Sequence, residues 1–191
     1  VFGLGGAGGN TISRMKEIGI KGGEFIALNT DAQDLLYTSA DTKILIGKEL
    51  TQGLGAGSNP KIGEEAAREN EHDIKKAIEG ADMIFITCGL GGGTGTGAMP
   101  VIAQLAKETG AVVIGVVNMP FECEKARIDK AEFGLQELRE VVDTAIVIDN
   151  NRLVKIAGNL PVSQAFAVAN ELVSSMIKGI VETITMPSLV N

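Results

Sequence analysis

Apolar residues along this chain gather into short runs separated by longer stretches of mixed polarity. The segments ADMIFIT (81–87) and AVVIGVVN (111–118) are almost unbroken runs, the pattern of strands covered by helices on both faces. Four more β-rich runs fall near 1–4, 24–28, 43–46 and 144–148. Helical spacing occupies the intervals near 10–19, 32–37, 61–79, 98–109, 124–142 and 152–157. Regular alternation of this kind predicts an α/β fold: a Rossmann-like parallel six-stranded sheet with helices on both faces.

The pattern ends differently. From Ser163 to Thr185, Phe166, Ala169, Leu172, Val173, Met176, Ile177, Ile180 and Ile184 recur at helical spacing. They predict one long core helix with a wide apolar face, buried along much of its length. Ser163 suits an N-cap and Pro187 marks a stop. The chain begins at Val1, inside a strand pattern, and ends just after this helix. The expected organisation is a domain over 1–162, the core helix over 163–185, the start of a loop over 186–191, and a second domain outside the chain.

Glycine supplies the first chemistry. GGGTGTG, Gly91 to Gly97, has five glycines in seven positions between a strand and a helix, whereas a plain turn needs one or two. Glycines let backbone N–H groups approach a phosphate, and the following helix N-terminus adds free donors and a positive dipole end. Thr94 and Thr96 add hydroxyls. A side chain at Gly95 is expected to obstruct such a ligand more than the core. A second loop, GLGGAGGN from Gly3 to Asn10, fits G-x-G-x-x-G through Gly3, Gly5 and Gly8, with Glu24 and Asp31 near the distance of a ribose-binding acid. Alone it is also compatible with an NAD-dependent Rossmann oxidoreductase. A third loop, QGLGAGSNP from Gln52 to Pro60, is a mobile turn or a third wall of the same pocket. NTDAQ ends a strand with Asn29, Asp31 and Gln33, which can cap the next helix or hold a metal-bound water.

Composition narrows the partners. In 191 residues there are 17 basic and 24 acidic side chains, a net charge of −7, with the basic ones scattered. That argues against nucleic acid and leaves ligand phosphates to backbone dipoles and a cation. Cys88, Cys123 and His72 show no zinc spacing and no disulfide framework, as expected in a reduced cytoplasm. Cys88, at a strand end, reads as a small core residue and His72 as part of a solvated helix face. No run reaches the roughly 18 apolar residues of a membrane span, so no membrane insertion is expected. Gly47-Lys48 is followed by Glu49, so the chain carries no Walker A loop.

Taken in order, GLGGAGGN, NTDAQ, GLGAGSNP, GGGTGTG, MPFECE, DNNRL, AFAVANE and MPSLVN resemble the tubulin/FtsZ superfamily and, within it, prokaryotic FtsZ, with wording toward the C-terminus similar to archaeal members. The resemblance covers essentially the whole chain. It implies a GTPase that binds GTP or GDP with Mg²⁺ and assembles head to tail into filaments of the cytoplasmic division ring, beside other cell-division proteins. By resemblance, Gly5, Gly6, Gly8, Gly9, Gly92, Gly93, Thr94, Gly95, Thr96 and Gly97 hold phosphates, with Ala56 and Gly57 near the γ-phosphate. Glu124 and Arg127 reach the ribose, though three residues apart where the family usually has four. Asn10, Asn150 and Asn170 read guanine and Phe166 stacks on it; Phe166 and Asn170, four apart, share a helix face. Asn191 matches the first residue of a loop whose aspartates complete catalysis in the neighbouring subunit. A nucleotide-binding relative that does not hydrolyse is the remaining alternative.

Overall fold

The computed structural model describes residues 1–157 and 161–185. Six parallel strands run in the order β3-β2-β1-β4-β5-β6: β1 (Phe2–Leu4), β2 (Ile26–Asn29), β3 (Thr42–Leu45), β4 (Met83–Gly89), β5 (Val112–Met119) and β6 (Thr144–Asp149). The sheet expected from the apolar runs is therefore present strand for strand. Its order reverses between β1 and β4, where β1 pairs with both β2 and β4, and that reversal opens a crevice at the carboxyl ends of the strands.

Helices cover both faces. Alternate residues of β4 point opposite ways: Ile84 and Ile86 join a core with Ala98, Met99 and Ile102 of α6 (Thr94–Glu108). Phe85 joins a second core with Ile12 and Met15 of α1 (Gly5–Glu17) and with Val173 and Ile177 of α9 (Val162–Thr185). Around them lie α2 (Ala32–Tyr37), α3 (Lys48–Thr51), α4 (Pro60–Glu69), α5 (Glu71–Ile78), α7 (Lys125–Val141) and α8 (Asn150–Ala157).

Three expectations are corrected. The helix expected over 61–79 is two, because Asn70 leaves helical geometry and its Oδ1 accepts the Gly47 N–H at 2.9 Å. Both glycine loops are largely helix: α1 begins at Gly5 and α6 at Thr94. On α9 the buried stripe is narrower than expected, comprising Ala165, Ala169, Val173, Ile177 and Val181, while Phe166, Leu172 and Ile184 stand partly open. The expectations for Pro187, Asn191 and the 186–191 loop, and for the Ser163 side chain, lie outside the described residues.

Cys88 is buried beside the Met99 sulfur, and burial pushes its thiol up to about 12, whereas Cys123 is exposed. A disulfide reagent at pH 8 is therefore expected to titrate one thiol in the folded protein and two after denaturation, because the thiolate is the reactive form. Two fast-reacting thiols in the folded state would contradict this packing. His72 is exposed on α5, as its charged surroundings suggest. No helix among the described residues is long and apolar enough to cross a membrane.

Candidate functional site

A cleft of about 480 Å³ lies over the switch point, lined by residues following β1, β4, β5 and β6 and by α9. Its floor is two helix starts. Gly5, Gly6 and Ala7 open α1, and Thr94 and Gly95 open α6. Among the described residues no side chain caps either start, whereas Asp31 caps α2 and Asn59 caps α4. The convergence of two uncapped helix N-termini is an anion site built from backbone. Gly5 sits at φ 65°, a conformation that excludes most side chains, and it abuts Thr94.

Not every glycine of these segments faces the cleft. Gly92 and Gly93 line it, and a Cβ on Gly92 would meet nothing within 4 Å. Gly8, Gly9, Thr96 and Gly97 do not line it. A Cβ on Gly8 would come within 2.7 Å of the backbone of Gly3 and Thr87, so Gly8 lets α1 cross the β1–β4 pair. Gly9 lies against Thr38, and Gly97 against the Pro60 carbonyl of α4. The Thr96 hydroxyl accepts the Gly91 N–H at 2.9 Å, tying the loop to its own helix. Gly95 lines the cleft but backs onto Cys88, where a Cβ would lie 2.8 Å from the Cys88 Cβ. A side chain there disturbs the core first, contrary to expectation.

The third loop is ordered by its contacts. Leu54 bridges to Asp31, the Gly55 N–H donates to the Thr30 carbonyl at 3.1 Å, and Lys130 Nζ donates to the Ser58 carbonyl at 2.7 Å. Ala56 is buried beneath Gly93 rather than lining the cleft, and Gly57 does not line it either. Asn29, Asp31 and Gln33 also lie off the lining. Asn29 Nδ2 donates to Asp34 and its Oδ1 accepts the Asp31 N–H, while Asp31 Oδ1 accepts from the N–H groups of Gln33 and Asp34. These atoms fit a helix cap rather than a cation cage. Among the described residues no cluster of three His, Cys, Asp or Glu could hold a metal.

The cleft lining also includes Glu124, Arg127, Asn10, Asn150, Phe166 and Asn170. Arg127 Nη1 donates to Glu124 at 2.9 Å, so the shortened spacing still pairs the two at one wall. Phe166 meets Phe121 edge to face, with centroids 4.9 Å apart, and remains 39% exposed. Asn170 Oδ1 accepts the Thr11 hydroxyl at 3.4 Å. Asn150 is 2% exposed and its Oδ1 has no partner among the described residues, an arrangement that costs stability unless a ligand supplies a donor. Asn118, which sequence reasoning did not single out, has an equally orphaned Oδ1 at the end of β5. The visible signal was a lone amide closing an apolar strand.

A family model described as Tubulin/FtsZ family, GTPase domain, matches residues 1–158. The chain belongs to the tubulin/FtsZ family. It is 60% identical, over its whole length, to cell division protein FtsZ 1 of Thermococcus kodakarensis, and covers 52% of that protein. A structure titled FtsZ dimer, empty, from M. jannaschii superposes with a TM-score of 0.96 at 54% identity, over 100% of this chain and 56% of that one. CetZ2 from Haloferax volcanii, described as a GTPγS-bound protofilament, superposes at 0.83 with 26% identity, over 94% of this chain and 57% of that one. The chain thus spans about half the length of the curated relatives it matches. The M. jannaschii structure carries the same α/β sheet and long helix.

Proposed function

We propose that this chain is the nucleotide-binding half of a GTPase of cell division, holding GTP or GDP in the cleft with phosphates over the starts of α1 and α6. The observation that carries this reading is the polarity of the cleft. Its lining combines uncapped helix N-termini with amide oxygens of Asn118 and Asn150 that have no partner among the described residues. Two unpartnered acceptors call for two donors, which guanine presents side by side at N1–H and its 2-amino group, whereas adenine has only its 6-amino group beside N1, itself an acceptor. In this reading Glu124 and Arg127 take the ribose, and Asn10, Asn170 and Phe166 take the base. A magnesium ion accompanying the nucleotide is held by phosphate oxygens and water. The domain ends at α9, whose open apolar face receives the second domain.

Relatives titled as a dimer and a protofilament support head-to-tail assembly, in which one end of a subunit carries the nucleotide and the next subunit covers it. Such a heterologous contact propagates into open filaments, here those of a cytoplasmic division site working with other division proteins. Hydrolysis in this reading needs a loop from the neighbour. Turnover per subunit of the longer protein accordingly rises with concentration; turnover independent of concentration would rule out the shared site, and none at all would favour a non-hydrolysing relative.

The direct test is thermal unfolding with GTP, GDP, ATP or NAD added. A ligand that binds the folded state raises the melting temperature by mass action, and guanine nucleotides are expected to do so most. A larger shift with NAD would instead favour the oxidoreductase. Gly92→Val is expected to keep the parent's unliganded melting temperature yet abolish the nucleotide-induced shift, because its side chain meets open space beside the phosphates.

A further inference from the structure

Thr30, just beyond β2, is fully buried and bonds to two of the three glycine segments, those over 52–60 and 91–97. Its carbonyl accepts from the Gly55 N–H at 3.1 Å and from the Thr51 hydroxyl at 3.2 Å. Its hydroxyl lies 2.7 Å from the hydroxyl of Thr94, the first residue of α6 and part of the cleft wall. A hydroxyl carries one proton and two lone pairs, and among the described residues the Thr30 hydroxyl bonds to Thr94 alone. If Thr94 donated to Thr30, the Thr30 proton would be buried without an acceptor. If Thr30 donates, its proton is satisfied and the Thr94 proton is left to point into the cleft. Burial selects the second arrangement.

We propose that Thr30 is a positioning residue that fixes the Thr94 hydroxyl as a donor to a phosphate oxygen. The proposal rests on the nucleotide reading of the cleft. Thr30 itself touches no ligand; it removes the alternative in which Thr94 turns its proton inward and offers a lone pair to an anion. Its carbonyl links the same residue to the loop over 52–60, so the orientation of Thr94 and the seating of that loop share one support.

The test is calorimetric titration of GTP and GDP into the parent, Thr30→Val, Thr30→Ser, Thr94→Val and the Thr30→Val/Thr94→Val double variant. Thr30→Val keeps the side-chain shape and removes the hydroxyl. It is expected to weaken GTP binding roughly 2- to 12-fold, the worth of one oriented hydrogen bond. Thr30→Ser, which keeps the donor, is expected to restore most of the loss. In the Thr94→Val background, Thr30→Val is expected to add nothing. Losses that multiply in the double variant, or a Thr30→Ser as weak as Thr30→Val, would overturn the relay, since a merely structural Thr30 acts without Thr94. Should Thr30→Val fail to fold, the comparison of Thr30→Ser with Thr30→Ala carries the same decision. A folded parent that binds no guanine nucleotide would overturn the reading of the cleft instead.

Discussion

Gly97→Ala is expected to lower the melting temperature by roughly 6–12 °C, the equivalent of about 3 kcal/mol for a domain of this size. A Cβ on Gly97 would lie 1.8 Å from the Pro60 carbonyl oxygen and 2.7 Å from the Glu64 nitrogen. Both are backbone atoms of α4, so no rotamer change relieves the clash, and the helices must separate. That separation opens the core in which Ala66 and Ala67 of α4 meet Ala98 and Val101 of α6. Gly92→Ala is the control: it adds the same methyl where nothing lies within 4 Å, and its melting temperature is expected to match the parent's. Circular dichroism during heating reads both. Equal melting temperatures for the two variants would mean that α4 and α6 do not touch at Gly97.

The second large effect is base selection. GTP is expected to bind at least about 100-fold more tightly than ATP, because a site with two buried acceptors rejects a base that can pair no more than one of them. Asn150→Leu is expected to reduce that ratio to tenfold or less, mostly by weakening GTP. The amide is 2% exposed with an orphaned oxygen, so replacing it with a leucine of similar shape costs little stability in the unliganded protein. Competition titrations with GTP and ATP measure the ratio. Comparable affinities in the parent would sink the assignment of Asn150 to the base.

Strands were the legible part of the sequence, because burial on both faces leaves an unbroken apolar run such as Met83–Cys88 that little else produces. Helix starts were not. Glycine is among the poorest interior helix residues, so Gly8, Gly9, Gly95 and Gly97 read as loop; the structure uses Gly8 where α1 crosses β1 and β4, Gly9 against Thr38, Gly95 against Cys88 of β4 and Gly97 where α6 meets α4. Close approach between elements outweighs local propensity there, and sequence spacing carries no record of it. The break at Asn70 was hidden for the same reason, its cause being the Gly47 N–H more than twenty residues away. Within the cleft, the motif-bearing residues Glu124, Arg127, Phe166 and Asn170 do come together. Asn118 went unnoticed because its signal, a single amide closing an apolar strand, belongs to no chemical motif.

The short central strand also sets a timetable. β1 has three residues and takes β2 and β4 as its two partners. Roughly 80 residues separate Leu4 from Met83, an interval of about 4–16 s of synthesis at ordinary rates. Until Met83–Gly89 leaves the ribosome, the apolar triplet Phe2–Leu4 presents one bare edge, open to any other strand that can add to it. The same event that closes this edge brings the two uncapped helix starts together. Newborn chains therefore lose their bare edge when β4 docks, well before Asn118, Asn150 and Asn170 complete the cleft, and a pause in translation just before β4 lengthens the aggregation-prone interval.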